Sequence, residues 1–136
     1  MASSILQWNI RGIKRNYTEL NLLIKNHNPN VLCIQETKLP NKDFVIKGYQ
    51  EFHHIHTDGL IACGGTSFFV KKSVIHSKIP LNTKLQAVAI RATFHKTITI
   101  CSVYIPPDSN PSLKDFENLK KTITFTLCIG GRFQCS

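Results

Sequence analysis

The sequence has few acidic residues, and this scarcity sets its overall charge. Eight Asp and Glu stand against 17 Lys and Arg, so the formal net charge is +9 and the pI is about 9.5. A field of this sign attracts polyanions such as nucleic acids, but a merely basic soluble protein has the same composition. Charge alone therefore leaves a nucleic-acid-binding function open without establishing it.

The sequence also lacks any pair of cysteines at C-x-x-C spacing. Its five cysteines are odd in number, so the sequence suggests neither a zinc site nor a disulfide framework. At least three of them lie inside apolar runs. We expect buried free thiols in a reducing compartment.

Long apolar runs are missing as well. Residues 1–4 precede only a short apolar segment without a basic region before it, and no later run approaches the roughly 18 apolar residues of a membrane span. We expect no signal peptide, no membrane partner and a nuclear or cytoplasmic protein. The 136 residues, 42% of them hydrophobic, show no repeat or linker and are typical of one domain, 1–136.

The first third of the chain predicts a strand, a helix and a second strand. The apolar run 5–8 predicts a strand that stops at Asn9, and the run 31–34 predicts a buried strand. Between them, apolar residues recur at helical spacing, with Asn16 or Thr18 as possible N-cap and Pro29 after the helix. Together they form a βαβ unit, whose two strands are parallel.

The remainder predicts mainly strands. Residues 66–70 form one, a further strand is plausible at 45–49 or 50–54, and runs 85–94 and 97–105 form a hairpin with His95 and Lys96 as its turn. A helix capped by Ser112 extends to about residue 122, and residues 123–129 form a last strand. The fold class is α/β, a mixed sheet with flanking helices.

Three polar residues lie at or just beyond the ends of predicted strands: Asn9, Glu36 and Tyr104. Parallel strands bring Asn9 and Glu36 to one edge of the sheet, where open α/β sheets commonly bind ligands. A Glu carboxylate suits Mg²⁺, an Asn amide can orient a phosphate or a water, and a Tyr hydroxyl can donate to a phosphate oxygen. A surface Glu, a turn-forming Asn and a packed Tyr are the alternatives.

Three motifs carry a resemblance. Gln-Trp-Asn-Ile-Arg-Gly at 7–12, Ile-Gln-Glu-Thr at 34–37 and Ser-Val-Tyr-Ile-Pro-Pro at 102–107 occur in this order. Together they resemble the endonuclease/exonuclease/phosphatase family, and most of all the endonuclease domain at the N-terminus of non-LTR retrotransposon polyproteins, upstream of the reverse transcriptase. The resemblance covers nearly all of this chain and about the first half to two thirds of a family domain.

This resemblance implies part of a four-layer α/β sandwich and a Mg²⁺-dependent hydrolysis of phosphodiesters that nicks DNA. Glu36 would hold the metal, Asn9 would organise the site and Tyr104 would contact the phosphate. Arg11 and Lys14, next to Asn9, would suit DNA phosphates. A phosphatase or a repair nuclease of the same family is the alternative.

The last residues depart from the family pattern. A Gly-Asp-Phe-Asn motif is expected after a strand, but the chain has Gly131-Arg132-Phe133-Gln134, so Arg132 replaces the Asp and Gln134 the Asn. Arg is always positive and cannot ligate Mg²⁺. With the family's later His also missing, we expect a truncated copy with little nuclease activity, whose inner sheet face is under-covered. A non-catalytic nucleic-acid-binding module is the alternative.

Two further motifs have weaker functional interpretations. The histidines His53, His54 and His56 could bind a transition metal, but the irregular segment around them favours a solvated loop. The pair Gly64-Gly65 precedes a strand without the Lys and helix of a phosphate loop, which favours a turn.

Overall fold

The computed structural model describes residues 4–105, 112–122 and 126–132. Its first sheet contains four strands in the order β1-β2-β6-β3, and its second sheet has the order β10-β9-β8-β7. Two short strands, β4 and β5, form a separate hairpin. The elements in chain order are β1 (Ile5–Asn9), α1 (Tyr17–His27), β2 (Val31–Gln35), β3 (Tyr49–His54), β4 (Thr57–Asp58), β5 (Ile61–Ala62), β6 (Thr66–Lys71), β7 (Ile75–Ile79), β8 (Gln86–Thr93), β9 (Thr97–Ile105), α2 (Leu113–Thr122) and β10 (Thr126–Arg132).

The predicted βαβ unit is confirmed. β1 and β2 are parallel, with Asn9 opposite Gln35 at their C-terminal ends. Helix α1 buries Leu20 against the first sheet, and Asn28 ends it in the left-handed conformation. Asn16 precedes the helix but does not cap it, because its amide donates instead to the carbonyl of Ile10 at 2.7 Å.

The predicted hairpin is also present, with β8 antiparallel to β9. Its loop has three residues rather than two, since Thr93 pairs with Thr97 and the N–H of Phe94 donates to the carbonyl of Lys96. The strand predicted at 45–49 or at 50–54 is β3, and the placement at 50–54 is right. Ser112 caps α2 as expected: its hydroxyl accepts from the N–H of Asp115 at 3.3 Å, and its own N–H donates to Oδ2 of Asp115 at 3.0 Å. The last strand runs to Arg132, beyond the predicted end at residue 129.

The expectation of an under-covered inner face is wrong for the described part of the chain. The two sheets pack face to face, because the alternate residues of β2 and β6 that point away from α1 meet those of β8 and β9. The apolar part of this core is almost entirely buried; it includes Val31, Cys33, Phe68, Val70, Val88, Ile90 and Ile100. The second sheet thus covers the inner face of the first sheet, for which the sequence predicted too few strands within this chain.

Two further features concern the cysteines and the length of the helices. Cys33 is a buried free thiol and Cys101 is also buried, whereas Cys63 is only half-buried. Burial raises the pKa of the Cys33 thiol, so the thiol stays protonated at neutral pH. Among the described residues, neither helix is long and apolar enough to cross a membrane.

Candidate active site at the rim of the two sheets

One edge of the sandwich gathers the C-terminal ends of four strands. β1 and β2 end there at Asn9 and Gln35, and across the inter-sheet space a hydrogen bond of 2.8 Å from the Gln35 amide to Ser102 brings in β9. β10 is parallel to β9, with Arg132 beside Ile105. This edge, called the rim from here on, therefore collects Asn9, Glu36, Tyr104 and the backbone of Arg132.

Asn9 and Glu36 are held side by side by hydrogen bonds that continue the pairing of β1 with β2. The N–H of Ile10 donates to the carbonyl of Gln35 at 3.0 Å, and that of Gly12 donates to the carbonyl of Glu36 at 2.9 Å. The predicted convergence of Asn9 and Glu36 on one rim is therefore present in the structure.

Glu36 occupies a backbone conformation that few side chains adopt. Its φ is +55°, and that of Lys38 is +53°, in a region that costs roughly 1–2 kcal/mol for a residue with a Cβ. Two hydrogen bonds hold this turn, from the N–H of Glu36 to the carbonyl of Gly65 at 2.8 Å and from the N–H of Lys38 to that of Gly64 at 2.9 Å. Strain of this kind concentrates at functional sites.

Four buried polar atoms at the rim have no hydrogen-bond partner among the described residues. They are both side-chain polar atoms of Asn9, Oε2 of Glu36 and Oγ1 of Thr37. The other carboxylate oxygen of Glu36 lies 3.7 Å from the ammonium of Lys38. Leaving a buried polar group unpaired costs about 1–3 kcal/mol, so this cluster suits a polar ligand or a cation.

These atoms fit a hard divalent ion. Glu36 offers a carboxylate oxygen and Asn9 an amide oxygen, and the described residues include no group of three or more His, Cys, Asp or Glu that could hold a metal. Mg²⁺ commonly takes one or two carboxylates and completes its shell with water and substrate phosphate. The carboxylate of Glu36 and the amide oxygen of Asn9 are therefore ligands of the kind that Mg²⁺ takes.

Tyr104 lies on β9 at the same rim and is 1% exposed. It pairs with Gln86 of β8, and its ring faces the loop before β6, since a Cβ built on Gly64 would lie 3.2 Å from its Cε2. Gly64 in turn binds Lys38 through its carbonyl. The structure thus links Tyr104 to the segment of Glu36, whereas Gln134 lies outside the described residues.

The glycine pair is part of the site rather than only a turn. Gly64 and Gly65 have φ of +59° and +84°, and the N–H of Gly65 donates to Oε1 of Gln86 at 2.7 Å. With the bonds to Glu36 and Lys38, these glycines join the end of β2 to the start of β8. Sequence reasoning missed this role, and the one signal for it was two adjacent glycines directly before a strand.

Basic side chains surround the loop after Asn9. Arg11 and Lys14, predicted to contact nucleic acid, are both exposed. A Cβ on Gly12 would lie within 4.0 Å of the side chains of Arg15 and Lys38. The basic face beside Asn9 is thus larger than the sequence analysis predicted.

The predicted solvated loop of histidines is wrong for His53 and His54, which belong to β3. His53 is buried and bridges the hydroxyl of Ser67 at 2.5 Å and the carbonyl of Phe44 at 2.8 Å. Its Nε2 donates to that carbonyl, so its Nδ1 accepts from Ser67. Burial lowers its pKa, which keeps the ring neutral.

His54 lies beside the rim in a cleft of about 620 Å³ that Lys42 and Lys78 also line. Burial lowers the pKa of His54, and its electrostatic interactions with His56, Lys42 and Lys78 lower it further. This flank of the rim is therefore positive even while His54 is neutral.

These two depressed pKa values predict acid sensitivity. Above the ordinary histidine pKa of about 6.5 both rings are neutral in the folded and unfolded states; below it only the unfolded state takes up protons, so stability falls. We expect the urea midpoint to drop between about pH 7 and pH 5, with a smaller drop in His53→Gln. Equal drops in the two proteins would show that His53 does not contribute.

A sequence model of the endonuclease/exonuclease/phosphatase family matches residues 6–118. The chain is also similar to the RNA-directed DNA polymerase from mobile element jockey of Drosophila melanogaster, at 27% identity over 130 residues. That match covers 93% of this chain and 14% of the relative, so the chain spans a small part of the relative's length.

Solved structures show the same fold. The endonuclease domain of TRAS1, a telomere-specific non-LTR retrotransposon, superposes with a TM-score of 0.66 at 21% identity, over 88% of this chain and 52% of that one. An AP endonuclease from Archaeoglobus fulgidus superposes with a TM-score of 0.62 at 20% identity, over 95% and 56%. The α/β sandwich expected from the motifs is confirmed, and the chain forms about half of it.

The matched residues 6–118 include Asn9, Glu36 and Tyr104, and the chain shares the α/β sandwich of the matching structures. On this agreement of sequence and fold, the chain belongs to the endonuclease/exonuclease/phosphatase family.

Proposed function

We propose that the rim is the metal- and phosphate-binding part of a retrotransposon-type DNA endonuclease site, and that this chain turns over slowly. The observation that carries the proposal is the set of unpaired buried atoms of Asn9, Glu36 and Thr37. A purely structural rim would satisfy these atoms internally, because each one left unpaired destabilises the fold.

Glu36 and Asn9 would hold Mg²⁺ through Oε2 and Oδ1. The ion, when bound, would stabilise negative charge on the phosphoryl oxygens and lower the pKa of a bound water. Tyr104 would orient the phosphate from the opposite sheet. The ammonium of Lys38, 3.7 Å from Glu36, keeps one carboxylate oxygen engaged and adds a positive charge for the phosphate.

The basic residues around the rim support a nucleic-acid substrate. Arg11, Lys14 and Arg15 are exposed on the loop that follows Asn9, where they can contact backbone phosphates on either side of the metal. Lys42 and Lys78 extend the positive surface on the other flank. Such contacts position a strand without reading its sequence.

Arg132 is the reason for proposing slow turnover. Its backbone pairs with Ile105, next to Tyr104, at a position where the family pattern has an Asp. A fixed positive charge at this position repels a divalent cation and provides no acceptor for a proton. The site would therefore bind metal and phosphate better than it hydrolyses a phosphodiester.

Glu36→Gln tests the metal site, because it keeps the shape of the side chain and removes its charge. We expect calorimetry to detect Mn²⁺ or Mg²⁺ binding by the wild-type chain and an affinity at least about tenfold weaker in the variant. Nicking of supercoiled plasmid should stay near background in both. Equal metal affinity in the two proteins would refute the metal site, and strong Mg²⁺-dependent nicking abolished by Glu36→Gln would refute slow turnover.

A non-catalytic nucleic-acid-binding module is the second candidate function, favoured by the net charge of +9 and by Arg132. It predicts DNA binding that needs no metal and weakens steeply as salt rises from about 50 to 200 mM. Binding that is unchanged in Glu36→Gln and in chelator would favour this candidate. Failure to bind DNA at about 50 mM salt would exclude it.

A further inference from the structure

A directed chain of hydrogen bonds crosses the space between the two sheets directly below the rim. The Gln7 amide donates to Oε1 of Gln35 at 2.5 Å, and the Gln35 amide donates to Oγ of Ser102 at 2.8 Å. Ser102 lies 2.6 Å from Oγ1 of Thr66, which also lies 3.1 Å from the carbonyl of Ile34. Because a carbonyl only accepts, Thr66 donates to it, and Ser102 therefore donates to Thr66.

Each polar side chain in this hydrogen-bond network has the next one as a hydrogen-bond partner. Gln35, Ser102 and Thr66 are each 0% exposed, and they interrupt an inter-sheet core that is otherwise apolar. Buried groups of this kind contribute little net stability, since apolar side chains of similar shape can replace both partners at small cost. Their effect is to fix one geometry between the sheets.

The members of this hydrogen-bond network lie one or two residues before the candidate site residues. Gln7 and Ser102 stand two residues before Asn9 and Tyr104, on the same faces of β1 and β9, because side chains alternate along a strand. Gln35 is directly before Glu36. Asn9 and Tyr104 therefore lie two residues beyond a member of this hydrogen-bond network, and Glu36 lies one residue beyond another.

We infer that Gln35 and Ser102 are positioning residues, which set the distance between the sheets at the rim and thereby the place of Glu36 relative to Tyr104. The metal part of this inference rests on the proposed function. The geometric part does not, because it concerns the separation of β2 and β9 whether or not an ion is bound.

The test replaces both partners with apolar side chains in Gln35→Leu/Ser102→Ala. Thr66 keeps the Ile34 carbonyl as acceptor, and the Gln7 amide remains exposed to water, so we expect the urea midpoint to change little. We expect the amide hydrogens of Glu36 and Gly65 to exchange faster, while those of the apolar core at Val31 and Phe68 stay as protected as in the wild type. Mn²⁺ affinity should fall about tenfold, which is the lower end of the range for residues that orient a metal ligand without contacting the metal.

The conservative variant Ser102→Thr separates positioning from packing, because it keeps the hydroxyl. Because Gln35 is intact in this variant, the amide hydrogens of Glu36 and Gly65 should exchange as slowly as in the wild type. Unchanged exchange at both amides in the apolar double variant would overturn the inference, whatever the metal does. Faster exchange with no Glu36-dependent Mn²⁺ binding in the wild type would support the positioning geometry and overturn the proposed function instead.

Discussion

Gly65→Ala is expected to destabilise the protein by about 3–4 kcal/mol, far more than an ordinary glycine substitution. The φ of +84° is unfavourable for any residue with a Cβ. In addition, the new Cβ would lie 2.9 Å from Oγ1 of Thr37 and 3.1 Å from the carbonyl of His54. The His54 carbonyl belongs to a paired strand and cannot move without disturbing β6.

Gly48→Ala is the matched control for this substitution. Its φ of +87° is nearly the same as that of Gly65, but no atom lies within 4 Å of the added Cβ. It should therefore lose only the conformational part, about 1–2 kcal/mol. Urea unfolding of the two variants would measure the difference, which is the cost of the close approach. Equal losses would mean that the rim can relax around a methyl group.

The same substitution should also weaken the candidate site. The carbonyl of Gly65 accepts from the N–H of Glu36, and its own N–H donates to Gln86. A shift of Gly65 therefore moves the carboxylate relative to Tyr104, the strand neighbour of Gln86. In folded Gly65→Ala, Mn²⁺ affinity should fall, while in Gly48→Ala it should not.

The parts of the fold that could be predicted from sequence are those with local signals. β1, α1 and β2 follow from the switch between apolar runs and helical spacing, and β8 and β9 follow from two long β-rich runs. β7 was missed because most of Ile75–Ile79 is exposed and shows little apolar alternation. β4 and β5 contain two residues each, too few to give a periodic pattern.

The candidate site likewise contains residues that a local sequence signal predicts and residues that no local signal predicts. Asn9, Glu36 and Tyr104 could be chosen because each follows or ends an apolar run, and strand ends of an α/β sheet meet at one edge. Gln35 and Ser102 are 67 residues apart in sequence, and nothing local marks them as partners. Their contact depends on the packing of the second sheet over the first, which the sequence pattern placed beyond this chain.

Arg132→Asp is expected to raise the affinity of the rim for Mg²⁺ or Mn²⁺ by roughly 30- to 100-fold. The substitution changes the local charge by two units at the end of β10, next to β9 and Tyr104. Coulomb's law gives about 1.7 kcal/mol per unit of charge for a divalent ion at a separation of about 10 Å and an effective dielectric constant of about 40. Salt screening brings the sum of the two down to about 2–3 kcal/mol.

Arg132→Gln separates the two contributions, because it removes the positive charge without adding a carboxylate. Calorimetric titration should place its metal affinity between those of the wild type and Arg132→Asp. If Arg132→Gln matches Arg132→Asp, repulsion by the arginine was the whole effect and the new carboxylate does not reach the ion. If neither variant differs from the wild type, position 132 does not face the metal, and slow turnover needs another cause.

Nucleic-acid binding should respond in the opposite direction. Removing a positive charge beside the phosphate site should weaken metal-free DNA binding and lower the slope of log affinity against log salt by about 1 if Arg132 contacts one phosphate. A simultaneous gain in metal affinity and loss in metal-free DNA affinity would show that one residue sets the balance between the two candidate functions. Plasmid nicking by Arg132→Asp above the wild-type level would then show that this charge, rather than Glu36, Asn9 or Tyr104, limits hydrolysis.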